Sequence, residues 1–155
     1  KPTFIKPLLE NGAIYHCGPV MAFEDGSWKA IAAGPTTSIR EEPYEATVIE
    51  EYSVRAVIGK GGMGKKTAEA LVRCGAVYLH AVGGTAVSIA DCIKAVDDVF
   101  HLERLGIPEA LWVYNVSSMK AVVTMDSNGN SLHEKVFSES EIQRNRLFSE
   151  SKFVG

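Results

Sequence analysis

Two short stretches carry the residue types that could do chemistry. The first, Gly59-Lys60-Gly61-Gly62-Met63-Gly64-Lys65-Lys66-Thr67, follows the apolar run Ala56-Val57-Ile58 and precedes a helical pattern. A phosphate-binding loop requires a hydroxyl directly after its Gly-Lys pair, to ligate the magnesium of a nucleotide. Lys66 stands there and Thr67 comes one residue late, a slip that turns the hydroxyl by about 100° around a helix. A dinucleotide fingerprint, met formally by Gly59, Gly61 and Gly64, requires an acidic residue at the end of the next strand to hold a ribose. That strand ends in Ala81 and Val82. Both nucleotide readings lose a required group. What survives is an anion site of backbone N–H groups at a helix N-terminus, flanked by Lys60 and Lys65, with a carboxylate as a fitting guest.

The second stretch, Gly34-Pro35-Thr36-Thr37-Ser38-Ile39-Arg40, also follows an apolar run. One hydroxyl is enough to cap a helix, yet three precede the arginine. If both loops follow neighbouring parallel strands, both open at the carboxyl edge of the sheet, where ligands bind in α/β folds. Arg40 and Lys60 would then flank one cleft. A guanidinium takes a carboxylate through two parallel hydrogen bonds and an ammonium meets a second one as a point charge. Thr37 and Gly61 would complete the binding of a dicarboxylate of about four carbons, whereas a triphosphate would also need acidic residues to hold its metal. The competing reading makes Lys60 a solvated loop lysine.

The rest of the chain must position these loops. Its 155 residues suit one domain with its own core. A formal charge of -3 gives no general attraction to nucleic acid or to an anionic membrane. The sequence has no apolar run of membrane-spanning length and no signal-peptide core, so a cytoplasmic protein is expected. Cys17, Cys74 and Cys92 are odd in number and never spaced as Cys-x-x-Cys. They could in principle hold an iron-sulfur cluster with one open iron, but burial as small apolar residues explains them more simply.

Apolar runs alternating with helical patterns predict an α/β domain with a mostly parallel sheet. Strands are expected at 13–17, 28–33, 54–58, 76–82, 96–101, 111–116 and 121–125, and helices at 44–52, 65–73 and 85–94. The stretch 121–134 reads as a C-terminal antiparallel hairpin around Asn128-Gly129. One domain over residues 1–137 is expected, with 138–155 as a C-terminal helix or tail.

In combination, Gly-Pro-Thr-Thr-Ser-Ile-Arg, Ala-Val-Ile-Gly-Lys-Gly-Gly-Met, the run from Cys74 to Ala90 and Ala-Val-Val-Thr-Met-Asp-Ser-Asn-Gly-Asn resemble the C-terminal domain, or β subunit, of class I iron-sulfur fumarases and the related L-tartrate dehydratases. The likeness runs from about Gly12 to Asn130. It implies a swivelling β/β/α domain that closes over a cluster-bearing α subunit, with the [4Fe-4S] cluster held by that partner and this chain's cysteines structural. It implies hydro-lyase activity on a C4 dicarboxylate, fumarate or tartrate, in a hetero-oligomer, with a homodimer as the form of the isolated chain, which would be inactive. Thr36 matches the family's threonine proposed for proton transfer, and Arg40 and Lys60 match its substrate-binding arginine and lysine. A threonine is no base by itself near neutral pH, so a partner carboxylate would have to activate it. The family's further substrate arginine lies in an Ala-Arg-Asp-Ala-Ala-His-like segment that would precede Lys1, which leaves open whether the chain is an N-terminally truncated fragment. Glu41-Glu42 stands where many relatives carry Met-Asp.

Overall fold

The computed structural model describes residues 3–150. Its centre is a four-stranded sheet of β1 (Ala13–Tyr15), β4 (Ala56–Gly59), β5 (Val77–His80) and β8 (Val122–Met125), in the order β1-β4-β5-β8. The first three run parallel, with Ile14 opposite Val57 and Val57 opposite Tyr78, and β8 lies antiparallel on β5. Side chains alternate between the faces of a strand, which gives the sheet two packed sides. Ile14, Val57 and Tyr78 face one cluster with Ile49 and Leu71. Tyr15 and Ile58 face the other, with Ala33, Ala81 and Ile89.

Two helices cover the first face: α2 (Glu45–Tyr52) and α3 (Lys65–Cys74). In α2 the stripe of Ala46, Val48, Ile49 and Tyr52 packs on the core, and Ser53 in the left-handed region at φ 56° ends the helix. In α3 Thr67, Ala70 and Leu71 are buried, and Gly75 at φ 62° closes the C-terminus, the role glycine fills without a Cβ penalty. The short α4 (Ala86–Ala90) seals the other face through Ile89 and Ala90. The remaining helices are α1 (Lys6–Leu9), α5 (Leu102–Leu105) and α6 (Leu132–Glu150).

The parallel sheet is smaller than the alternating pattern suggests. Strand β3 (Ser27–Ala32) pairs antiparallel with β2 (Val20–Glu24) in a separate hairpin. The turn between them is Asp25-Gly26, both at positive φ, the geometry that an Asp-Gly pair favours because it matches strand twist. Strands β6 (Ile93–Phe100) and β7 (Leu111–Val116) form another antiparallel hairpin; residues 101–110 between them are too few for a parallel crossover. Trp28 and Trp112 meet edge to face at 5.1 Å and tie the two hairpins together.

At the C-terminal turn the chain does fold back, with an antiparallel bridge from Met125 to Ser131, but the returning arm is that single bridge. Helix α6 begins at Leu132. The Asp126 carboxylate accepts the N–H groups of Asn128 and Asn130, and Ser131 Oγ accepts the Glu134 N–H. This Ser-x-x-Glu start is a helix cap. The 137/138 boundary expected from composition therefore falls inside one continuous helix, 132–150.

Candidate functional site

The Gly34 loop does not follow a strand of the parallel sheet, because β3 belongs to the β2–β3 hairpin. The two loops meet all the same. The Thr36 N–H donates to His16 O at 2.7 Å, the Lys60 N–H donates to Thr36 O at 3.3 Å, and the Ser38 N–H donates to Lys60 O at 3.0 Å. Thr37 forms a parallel bridge with Lys60, and Cys17 an antiparallel one with Pro35. The Thr36–Ser38 segment thus extends the sheet past the ends of β1 and β4. Arg40 follows directly in the 3-10 turn Ser38–Glu41.

Thr36, Thr37, Lys60 and Gly61 are therefore brought together by backbone pairing, with Arg40 on the adjoining turn. Arg40 is exposed and Lys60 half-buried. Ion pairs engage Lys29, Lys65, Arg73, Arg144 and Arg146, whereas among the described residues neither Arg40 nor Lys60 is in one. Among the described residues, the exposed Arg40 and the half-buried Lys60 thus stand without an ion-pair partner. A groove of about 400 Å³ between β3 and β6, lined by Trp28, Ala30 and Val96 among others, contains none of these residues.

The anion site expected at the start of α3 is real, and the chain fills it. Glu42 Oε2 accepts the Gly64 N–H at 2.7 Å and the Thr67 hydroxyl at 2.7 Å, while Oε1 accepts the Lys66 N–H at 2.9 Å and the Thr67 N–H at 3.3 Å. A carboxylate at a helix N-terminus is favoured by the orphan N–H groups and the helix dipole. The guest is thus a carboxylate of the chain itself, and Thr67, one residue late for a phosphate loop, serves it. Lys65 is drawn toward Glu69 at 3.9 Å.

The glycine loop is likewise committed to internal partners. Gly61, at φ 83° with open space where a Cβ would stand, directs its N–H to His80 Nδ1 at 3.3 Å. Gly62, at φ 79°, lies under the His133 ring, which a Cβ would meet at 2.5 Å. His133 bonds Thr124 Oγ1 at 2.9 Å, and burial, with the neighbouring His80, holds its pKa below the ordinary histidine value. Neither histidine is legible as a site residue in the sequence; each stands in the unremarkable company of Leu79 and Leu132.

Beneath the loops runs a buried polar chain. His16 Nδ1 meets Ser38 Oγ at 2.9 Å, His16 Nε2 meets Glu45 Oε2 at 3.0 Å, and the Tyr78 hydroxyl donates to Ser38 Oγ at 2.8 Å. Ser38 has no exposed surface and Glu45 is 4% exposed. An acid, a histidine and a serine in line suggest nucleophilic catalysis, but a serine with no access to solvent attacks nothing.

The cysteines do not fit an iron-sulfur cluster. Cluster ligands are thiolates, and burial pushes the Cys17 thiol up to about 11. Cys74 closes α3, and Cys92 donates to Ser88 O after α4. Among the described residues no three His, Cys, Asp or Glu side chains are gathered to hold a metal ion. Because only the thiolate reacts, Cys17 should be alkylated by iodoacetamide at pH 8 roughly a hundredfold more slowly in the folded chain than in denaturant. Peptide mass spectrometry over a time course checks this, and equal rates would mean an accessible thiolate.

Comparison with known proteins decides what the paired motifs belong to. Residues 2–136 match the family model described as fumarase C-terminus. The chain belongs to the fumarase C-terminus family. A relative from Geobacillus stearothermophilus with the provisional name fumarate hydratase class I is 54% identical over 146 residues, which is 94% of this chain and 28% of the relative. A protein from Methanocaldococcus jannaschii, provisionally named L(+)-tartrate dehydratase subunit beta, is 42% identical over 83% of this chain and 66% of its own length. The Escherichia coli L(+)-tartrate dehydratase subunit beta is 37% identical over 84% of this chain and 67% of its own length. The chain thus spans about a quarter of the fumarase relative and about two thirds of the tartrate dehydratase subunits. The fumarase C-terminus match includes both loops, Glu42 and the buried chain beneath them.

Proposed function

We propose that this chain is the C-terminal domain or β subunit of an iron-sulfur hydro-lyase that reversibly adds water to fumarate to give malate. The observation that supports the reading is the backbone junction of the two loops, which joins Thr36 and Thr37 to Lys60 beside Gly61, with Arg40 on the adjoining turn and, among the described residues, neither cation in an ion pair. An open surface cannot exclude water or enclose a substrate, so the other wall comes from a cluster-bearing α subunit or domain. A [4Fe-4S] cluster would be held by that partner, since this chain gathers no ligands for one among its described residues, and would supply Lewis-acid chemistry there.

This chain's residues bind and orient. Arg40 takes one carboxylate of the C4 acid through two parallel hydrogen bonds, and Lys60 meets the other as a point charge. The Thr37 hydroxyl and the backbone at Gly61 complete the hold. Thr36 takes part in moving the proton to or from carbon, with a partner carboxylate to activate it. L-tartrate is the second substrate reading, supported by the relatives named as tartrate dehydratase subunits. A nucleotide is disfavoured, because Glu42 already occupies the helix N-terminus that would take its phosphate. Three free cysteines suit a reducing compartment such as the cytoplasm.

The test is co-purification with the cluster-bearing partner, followed by fumarate absorbance during turnover. The chain alone should be inert and colourless, and the complex should interconvert fumarate and malate or dehydrate tartrate. A complex that turns over none of these acids would sink the reading.

A further inference from the structure

The buried polar chain has a direction. The Tyr78 hydroxyl donates its hydrogen to Ser38 Oγ at 2.8 Å. Ser38 then has one hydrogen to give, and His16 Nδ1 at 2.9 Å accepts it. For Nδ1 to accept, the ring proton must sit on Nε2, where Glu45 Oε2 receives it at 3.0 Å. Tyr78, Ser38, His16 and Glu45 thus form one unbranched relay of donors, from β5 to the first turn of α2. Reversing any one bond would strand a buried hydrogen without an acceptor, at the cost of desolvating it. Burial pushes the Tyr78 phenol up in pKa, which keeps its hydrogen in place to donate.

The relay touches both motifs at their backbones. Ser38 lies between Thr37 and the turn that carries Arg40, and its N–H holds Lys60 O. His16 holds Thr36 through its carbonyl and Ser38 through its ring. Gly59 is the residue against which the relay packs: a Cβ there would lie 1.9 Å from Ser38 Oγ and 3.2 Å from both His16 Nδ1 and the Tyr78 hydroxyl.

We propose that His16, Ser38 and Tyr78 are positioning residues that set the Gly-Lys-Gly loop against the Thr-Thr-Ser turn, so that Lys60 and Arg40 are presented in fixed register to the substrate. The proposal rests on the dicarboxylate reading for its consequence in catalysis, but its structural half does not. Tyr78 is fully buried and His16 is buried; they act through Ser38, whose N–H holds Lys60 O.

The test uses Tyr78→Phe, which removes one hydroxyl and keeps the ring, and the pair His16→Asn and His16→Leu. An asparagine amide oxygen can take the place of Nδ1 as acceptor for Ser38, and leucine cannot. In the full chain, amide exchange at Ser38 and Lys60 should quicken by about tenfold in Tyr78→Phe and His16→Leu, with α3 unchanged and His16→Asn near the parent. In the complex with the partner, KM for the C4 acid should rise by about tenfold in the same two variants while kcat stays within about threefold. Exchange at Ser38 and Lys60 that is unchanged in both damaging variants, or faster exchange with KM unmoved in an active complex, overturns the proposal. A parent complex with no turnover on fumarate, malate or tartrate removes the dicarboxylate reading instead, and the exchange measurement then decides whether the relay holds the loop.

Discussion

Arg40→Lys and Lys60→Met should each cut turnover of the assembled enzyme by about thirty-fold or more, with melting temperatures close to the parent. A site that loses a desolvated, charge-assisted hydrogen bond to a carboxylate forfeits roughly 2 to 5 kcal/mol. Arg40→Lys keeps the charge and removes the planar fork, so its loss reports two-pronged geometry and not charge alone. Folding should be spared, because Arg40 is exposed, Lys60 is half-buried, and neither is in an ion pair among the described residues. The measurement is steady-state kinetics on fumarate, malate and tartrate beside a thermal melt of each variant. Near-normal turnover in both variants would take the carboxylate clamp away from this chain, and melts far below the parent would make the two side chains structural.

Gly59→Ala should have the largest effect on stability. The added methyl would stand 1.9 Å from Ser38 Oγ, and the serine cannot swing aside while it holds His16 and Tyr78. Overpacking a filled interior costs about 3 kcal/mol, a fall in melting temperature of roughly 6 to 12 °C for a chain of this size. The double variant Gly59→Ala with Ser38→Gly removes the clashing oxygen and should melt above the sum of the two single losses. A Gly59→Ala chain within about 2 °C of the parent would show that the serine relocates freely.

The parts of the fold legible in the sequence are those written as local patterns. Val48, Ile49 and Tyr52 on the inner side of α2, the Gly75 stop after α3 and the strands at Val57 and Tyr78 follow from residue periodicity and are present, whereas Tyr44, which the same period puts on that stripe, is exposed at the N-cap. Strand β2 is not legible in this way, although Asp25-Gly26 is a hairpin turn by its chemistry, because Val20 and Phe23 bring no alternating buried face; both are exposed. Helix α6 is hidden as a continuous element because Asn128-Gly129 suggests a hairpin, while the cap from Ser131 to Glu134 starts a helix in place of a second strand. At the candidate site, Arg40 and Lys60 stand out by type and position in their loops, and Thr36 by the resemblance of its motif. Glu45 is not: an acid in the first turn of a helix ordinarily faces solvent, and its pairing with His16 joins residues 29 apart in the chain. Glu42 does carry a signal, since an acid two residues after Arg40 and an uncapped glycine helix start are complementary.

Glu42 also determines how the protein answers to dissolved oxyanions. With a carboxylate of its own seated on the Gly64, Lys66 and Thr67 N–H groups, the start of α3 offers sulfate or phosphate no vacancy, and repels either ion. On the proposed dicarboxylate reading, a small dianion is therefore left with the Arg40 and Lys60 side of the loops, where it would compete with the C4 acid. Buffer composition should accordingly alter apparent affinity for the C4 acid while leaving the helix beneath it indifferent.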